Sequence, residues 1–216
     1  MKKSILTLTS FVLTLFTIAS SEAQVKTDTT TKDKTIKLAD STITHNLQDS
    51  LKAKPKVVGG AKMLPGDDII ENTSKSKDHT LLIEAIKSTG LADSLKADGP
   101  FTVFAPTNDA FAKLPAGTLD TLKQPENKEK LADVVQYHVV SGKLTSRDLA
   151  MAVARANGTA TLTTVEGEDL TVSINAEKNL QITDAKGNVA LVTMFDVEQA
   201  NGIVHVINNV LLPNER

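Results

Sequence analysis

The segments FTVFAPTNDAFAKLP (Phe101–Pro115) and NGIVHVINNVLLP (Asn201–Pro213) carry most of the information about the fold of this chain. Each begins with an apolar run of strand length and continues into a turn rich in proline or asparagine. Pro106 fixes φ and withholds a backbone donor where the first strand must end. Either Thr107 or Asn108 then caps a short helix. Both segments therefore predict a buried strand followed by a sharply defined turn.

The strand of the second segment is apolar on both sides, and the turn signal Asn201-Gly202 precedes it. Since successive side chains of a strand point to opposite faces, we expect two sets: Val204 and Val206 on one face, and Ile203, His205 and Ile207 on the other.

Helical patterns dominate the chain before residue 158. Asp78 can cap a helix that ends at Gly90. The range Asn127–Tyr137 repeats the apolar stripe, which continues to His138. Thr145-Ser-Arg-Asp148 has the arrangement of a capping box and predicts a third helix start.

After Asn157-Gly158 the apolar period changes from helical to two. Turn residues separate short runs that we interpret as antiparallel strands with one buried face. The residues expected on that face are Leu170, Val172, Ile174, Leu180, Ile182, Val189, Leu191, Thr193 and Phe195. Helices followed by a hairpin-rich sheet predict an α+β fold in a single domain.

The first 23 residues have the layout of a signal peptide. Lys2 and Lys3 precede an apolar stretch of about 15 residues, which is short of the roughly 20 that a membrane anchor needs. Small residues before Gln24 suit cleavage after Ala23. We therefore predict a signal peptide over 1–23, a flexible polar spacer over 24–62 and the folded domain over 63–216, with no membrane span after cleavage.

The composition limits the classes of function. The chain has no cysteine, which excludes disulfides and thiol catalysis, and its net charge of −2 offers no basic surface for nucleic acid. It has no tryptophan and one tyrosine, so the aromatic anchors common at protein interfaces are scarce.

Together with YHVVSGKL (Tyr137–Leu144), the two opening segments resemble the two conserved boxes and the Tyr-His motif of the fasciclin-type adhesion domain. The resemblance spans about residues 63 to 213 and implies an antiparallel β wedge or sandwich with several packed helices, in which the two boxes lie side by side. It also implies partner binding at Tyr137 and His138, and at Asp196 and Val197. The family commonly has aspartate where this chain has Asn208.

No residue pattern indicates catalysis or a metal site. The four histidines lack the spacing of metal ligands, and the chain has no GxSxG elbow. We therefore expect no catalytic residues, no metal and no cofactor, and interpret the histidines as structural. The hypothesis is an exported, monomeric binding module, periplasmic or extracellular, that adheres to a cell-surface or matrix protein or glycan. The alternative is a carrier of an apolar small molecule; an enzyme is the least favoured class.

Overall fold

The computed structural model describes residues 54–96 and 99–214. The predicted signal peptide, and the predicted spacer up to residue 53, lie outside the described residues. The elements follow in this order: β1 Lys56–Val58, β2 Ala61–Met63, α1 Ile69–Lys75, a 3-10 turn Lys77–His79, α2 Thr80–Thr89, α3 Ala92–Lys96, β3 Phe101–Pro106, α4 Asn108–Ala112, α5 Thr118–Leu122, a 3-10 turn Pro125–Asn127, α6 Lys128–Tyr137, β4 Val139–Ser141, α7 Ser146–Arg155, β5 Thr159–Thr163, β6 Asp169–Ile174, β7 Leu180–Thr183, β8 Val189–Gln199 and β9 Gly202–Ile207.

Seven of these strands form one sheet in the order β4-β3-β9-β8-β7-β6-β5. Neighbouring strands pair antiparallel, except β3 and β9, which are parallel. An antiparallel bridge between Val140 and Thr164 brings the two ends of the sheet together, so it is nearly a closed barrel. The predicted α+β class is confirmed, and the two boxes lie side by side as the family resemblance implies.

The central strands β3 and β9 separate two apolar cores. Val204 and Val206 face the first core, which is built with helices α1, α2 and α6. Ile207 and Phe104 face the second, which is closed by α7 and strands β5 to β8. The expected division of β9 between two faces is therefore confirmed. Gly202 begins β9 because a side chain there would collide with the backbone of Phe101.

The predicted buried face of the hairpin strands is correct in part. Leu170, Val172, Leu180 and Ile182 are buried, but Ile174 is 42% exposed at the end of β6. In the first half of β8 the prediction selects the wrong face: Ala190 and Val192 are buried, whereas Val189, Leu191 and Thr193 lie on the other side. The cause is strand register. Directly paired residues lie on the same face of a sheet, and the buried Ile182 of β7 pairs with Ala190. Beyond a register shift, the half-buried Phe195 packs against the second core, on the side predicted for it.

Ordered structure begins before residue 63. Strands β1 and β2 form a hairpin over Lys56–Met63, within the C-terminal end of the predicted spacer, and Val58 is buried in the first core. Gly59 and Gly60 both have positive φ, 56° and 78°, as a tight turn between right-twisted strands requires. The spacer prediction is therefore wrong for residues 56–62.

Helix starts follow the expected chemistry with one exception. Thr107, not Asn108, caps α4, and Thr145 with Asp148 forms the predicted capping box of α7. Asp78 does not cap α2; it lies in the 3-10 turn that precedes this helix, and Ser76 caps that turn. Gly90 ends α2 in the left-handed conformation, as predicted.

Helix α7 ends at a residue with unfavourable backbone geometry. Asn157 has φ 56°, and the next amide, of Gly158, donates to the carbonyl of Val153 over 2.9 Å. This bond is that of a Schellman motif, whose left-handed position is usually glycine.

Within the described residues, no helix has the length and apolar character needed to cross a bilayer.

Candidate functional site

Tyr137, the first predicted partner-binding residue, is fully buried at the end of α6. Its hydroxyl donates to the carbonyl of Asp169 over 3.0 Å and accepts from the amide of Ala185 at 2.9 Å. Burial raises the pKa of the phenol to about 12. Tyr137 therefore joins α6 to β6 and to the turn after β7.

His138 is 2% exposed, and both ring nitrogens are occupied. Nδ1 lies 2.7 Å from the carbonyl of Val134, to which it can only donate, and Nε2 accepts from the amide of Leu211 at 3.0 Å. These partners require the neutral imidazole protonated on Nδ1. Burial lowers its pKa from 6.5 to about 4. His138 thus fastens the segment after β9 to the end of α6.

Asp196 and Val197 lie where β8 is irregular. The register of β8 against β9 shifts between Met194 and Val197, and Asp196 has φ 52°. The half-buried carboxylate of Asp196 accepts from the amide of Ser146 at 2.7 Å and from its hydroxyl. It therefore binds the N-terminus of α7, whereas Val197 is 1% exposed in the first core.

Phe104 and His205 connect the two predicted pairs. The amide of Phe104 donates to the carbonyl of His138 over 2.9 Å, and its ring stacks on His205. Nδ1 of His205 accepts from the amide of Asp196 at 3.3 Å. Of the four predicted residues, only Asp196 reaches the surface in this conformation.

Two further residues of the boxes also have structural contacts. Oδ1 of Asn108 accepts from the amide of Leu81 at 3.1 Å, and its Nδ2 donates to the carbonyl of Lys77 at 2.9 Å. Oδ1 of Asn208 accepts from the amide of Leu191 at 2.8 Å, which holds the chain after β9 against β8.

In the part of the chain that the structure describes, no three acidic or histidine side chains are grouped as metal ligands.

The model of the fasciclin domain matches residues 77–213, which include both boxes and the whole seven-stranded sheet. The chain belongs to the fasciclin family. It is 42% identical over 160 residues to protein sll1483 of Synechocystis, covering 74% of this chain and 81% of that protein. The immunogenic protein MPB70 of Mycobacterium bovis is 32% identical over 166 residues, covering 74% of this chain and 77% of MPB70.

Segments of longer animal proteins are also similar to this chain. Transforming growth factor-beta-induced protein ig-h3 of the pig is 38% identical over 134 residues, which are 62% of this chain and 17% of that protein. A solved FAS1 domain pair of the insect cell adhesion molecule fasciclin I aligns with a TM-score of 0.49 at 22% identity, covering 59% of this chain and 43% of that one. Fasciclin domains are adhesion-related domains.

Phe104, His205 and Ser146 of this fasciclin domain also belong to the connected group, although they were not among the predicted site residues. Phe104 and His205 are register partners only because β3 and β9 are neighbours, and neither segment alone signals that contact. Ser146 follows the capping residue Thr145, so its amide is one of the free donors at a helix start.

Proposed function

We propose that this fasciclin domain is an exported, non-catalytic and monomeric module that adheres to a cell surface or to extracellular matrix through protein or glycan contacts. The observation that carries the proposal is the match to the fasciclin domain over residues 77–213. The internal contacts of Tyr137, His138 and His205 support it, because each uses its polar atoms to hold the fold together.

Within the predicted site, the exposure of each side chain decides whether we assign it direct contact with a partner or internal support. Asp196 is the residue that a partner can contact directly, with two carboxylate oxygens held by Ser146. Tyr137, His138 and Val197 act from inside by keeping the irregular part of β8 and the end of α6 in place. A partner with a cationic or hydroxyl group suits the half-exposed carboxylate.

A cell-retention assay tests the adhesive function. Purified protein is immobilised, and retention of cells and of matrix polymers is compared with that on a surface coated with heat-denatured protein. Asp196→Asn is expected to reduce retention while keeping an acceptor for Ser146, whereas Asp93→Asn, at an exposed position of α3, is expected to leave it unchanged. Equal retention by folded and denatured protein would refute adhesion.

The export that we propose has its own test. We expect mature protein recovered from its source to begin at Gln24 and to be found outside the inner membrane, in the periplasm or the medium. A relative, the cell surface glycolipoprotein MPB83 of Mycobacterium bovis, is 38% identical over 123 residues and supports this location. Recovery of a chain that still starts at Met1 from the cytoplasm would contradict it.

A further inference from the structure

The chain contains two Asn-Gly dipeptides, Asn157-Gly158 and Asn201-Gly202, whose surroundings differ. Asparagine is a chemically labile residue. In this dipeptide the glycine amide nitrogen can attack the side-chain carbonyl carbon of asparagine, because glycine has no Cβ to hinder the approach. The ring that forms is a succinimide. The fold decides whether the reaction occurs, since the attack needs a mobile backbone and an unrestrained asparagine side chain.

Asn201 is held from several directions. Its Oδ1 accepts from the amide of Ile69 at 3.0 Å, and its Nδ2 donates to the carbonyl of Leu95 at 2.7 Å. Its backbone carbonyl accepts from the amide of Phe101 at 3.0 Å. The following Gly202 is buried at the start of β9, against the backbone of Phe101. Asn201 therefore cannot turn toward the attacking nitrogen unless the centre of the sheet opens.

Asn157 lies in a very different environment at the end of α7. It is exposed, as are all residues from 154 to 159, and its side chain forms no hydrogen bond within the described residues. The reacting pair is restrained by the bond from the Gly158 amide to the carbonyl of Val153, which is 2.9 Å long. This bond must break before the nitrogen can attack. It closes an exposed helix end, where local opening requires little free energy.

The backbone conformation of Asn157 favours that opening. Its φ of 56° lies in the left-handed region, which is less stable for asparagine than for glycine. Fraying of the helix end relieves this conformation and lets the side-chain carbonyl carbon approach the nitrogen of Gly158. Reaction at Asn157 thus needs a frayed helix end, whereas reaction at Asn201 needs the central strands to separate.

We propose that Asn157 is a site of spontaneous deamidation, which the folded domain permits at this position and prevents at Asn201. The Gly158 amide loses its proton to solvent, and its nitrogen forms a bond to Cγ of Asn157. The bond from Cγ to Nδ2 breaks, and the leaving nitrogen takes up a proton and departs as ammonia. Water then adds to either carbonyl of the succinimide and opens the ring, which gives aspartate or isoaspartate. The proposal does not depend on the adhesive function.

Either product changes the end of α7. The new carboxylate lies at the negative end of the helix dipole, where an anion is unfavourable. Isoaspartate also adds one carbon atom to the backbone before Gly158, which displaces the Gly158 amide from the carbonyl of Val153. The modified turn therefore joins α7 to β5 less firmly than the intact one.

Incubation of the purified folded protein in mildly alkaline buffer, followed by tandem mass spectrometry of tryptic peptides, tests the proposal. The two dipeptides fall in different peptides, residues 156–178 and 187–216. We expect conversion at Asn157 to exceed that at Asn201 by about a hundredfold or more, because the two positions need very different degrees of opening. Conversion should slow in mildly acidic buffer, where fewer amide nitrogens are deprotonated. Asn157→Gln should leave position 157 unmodified, since the longer side chain closes a less favourable ring.

The same incubation in concentrated urea is the control for the role of the fold. There the two dipeptides should react at similar rates, because the unfolded chain restrains neither of them. Selective conversion of Asn157 in the folded protein that disappears in urea would support the proposal. Equal conversion at both positions in the folded protein, or reaction of both in urea and of neither in the folded protein, would overturn it. So would selectivity that persists in urea, because neighbouring residues and not the fold would then be its cause.

Discussion

The rings of Phe104 and His205 stack across the two parallel central strands, with centroids 5.8 Å apart and planes inclined by 26°. The two residues are direct register partners and are fully buried. Nε2 of His205 donates to the carbonyl of Leu144 at 2.8 Å, so the stack also fixes the segment before α7. One aromatic contact therefore joins both boxes to the irregular part of β8.

Truncation of this stack is expected to destabilise the domain strongly. Phe104→Ala should lower the free energy of unfolding by about 3–5 kcal/mol, because it leaves a cavity between β3, β9 and the second core. Urea denaturation measures the loss. Val165→Ala, at a side chain that is 46% exposed, is the control and should change stability by less than about 0.5 kcal/mol. Similar losses for both variants would contradict the structure.

Acid is expected to weaken the domain through His138. Its pKa is lowered from 6.5 to about 4 by burial, so the unfolded chain binds more protons than the folded one between these values. Stability contributed by the neutral ring is present above about pH 6.5 and is lost as pH falls toward 4, by roughly 3 kcal/mol. Burial lowers the pKa of His79 and His205 in the same direction.

Denaturation midpoints measured at decreasing pH check the overall slope, and the ring resonances of His138 identify its share. These resonances should not titrate until the pH is well below 6. A His138 that titrates near its ordinary pKa of 6.5 in the folded protein would show that the contacts with Val134 and Leu211 do not hold the ring neutral.

The asparagine at position 208 is expected to be replaceable by the aspartate common in the family. Asn208→Asp keeps an acceptor for the amide of Leu191 and places a negative charge near Lys113, whose Nζ lies 2.7 Å from the carbonyl of residue 208. Its stability should stay within about 0.5 kcal/mol of the wild type. Asn208→Ala should cost about 1–2 kcal/mol, because the Leu191 amide loses its acceptor. Thermal denaturation of both variants separates these outcomes; equal stability of Ala and Asp would count against the hydrogen bond.

The end of α7 offers a stabilising substitution. Asn157→Gly should raise stability by about 0.5 kcal/mol, since glycine adopts positive φ without steric cost. Asn157→Ala should lower it by about 1 kcal/mol, because alanine tolerates this conformation less well than asparagine. Chemical denaturation of the three proteins should therefore rank them Gly, Asn, Ala, and any other order would show that φ at this position does not limit stability.

Sequence patterns predict the buried faces of β9 correctly and that of the first half of β8 wrongly, because hydropathy does not show which strands pair. Every residue of β9 is buried, so the assignment of its side chains to two buried faces does not depend on the register of pairing. In β8 the large side chain of Leu191 lies beside the small Ala190, and hydropathy alone favours the larger one. Pairing with Ile182 decides in favour of Ala190, and strand pairing is not visible in a single segment.

The candidate sites show the same limit. An apolar helical stripe predicts the buried position of His138, because that signal is local. The stack of Phe104 on His205 depends on which strands become neighbours, and that is not a local signal. The turn signal Gly59-Gly60 after two valines was available in the sequence and indicates the hairpin that the spacer prediction overlooked.

The parallel pairing of β3 with β9 also has a consequence for the order of folding. Strand β9 forms part of both cores, yet it follows every other strand along the chain. A growing polypeptide cannot make its central pair until Ile207 has left the ribosome, and contacts between such distant segments form slowly. The seven-stranded sheet therefore cannot be completed until nearly the whole domain has been synthesised.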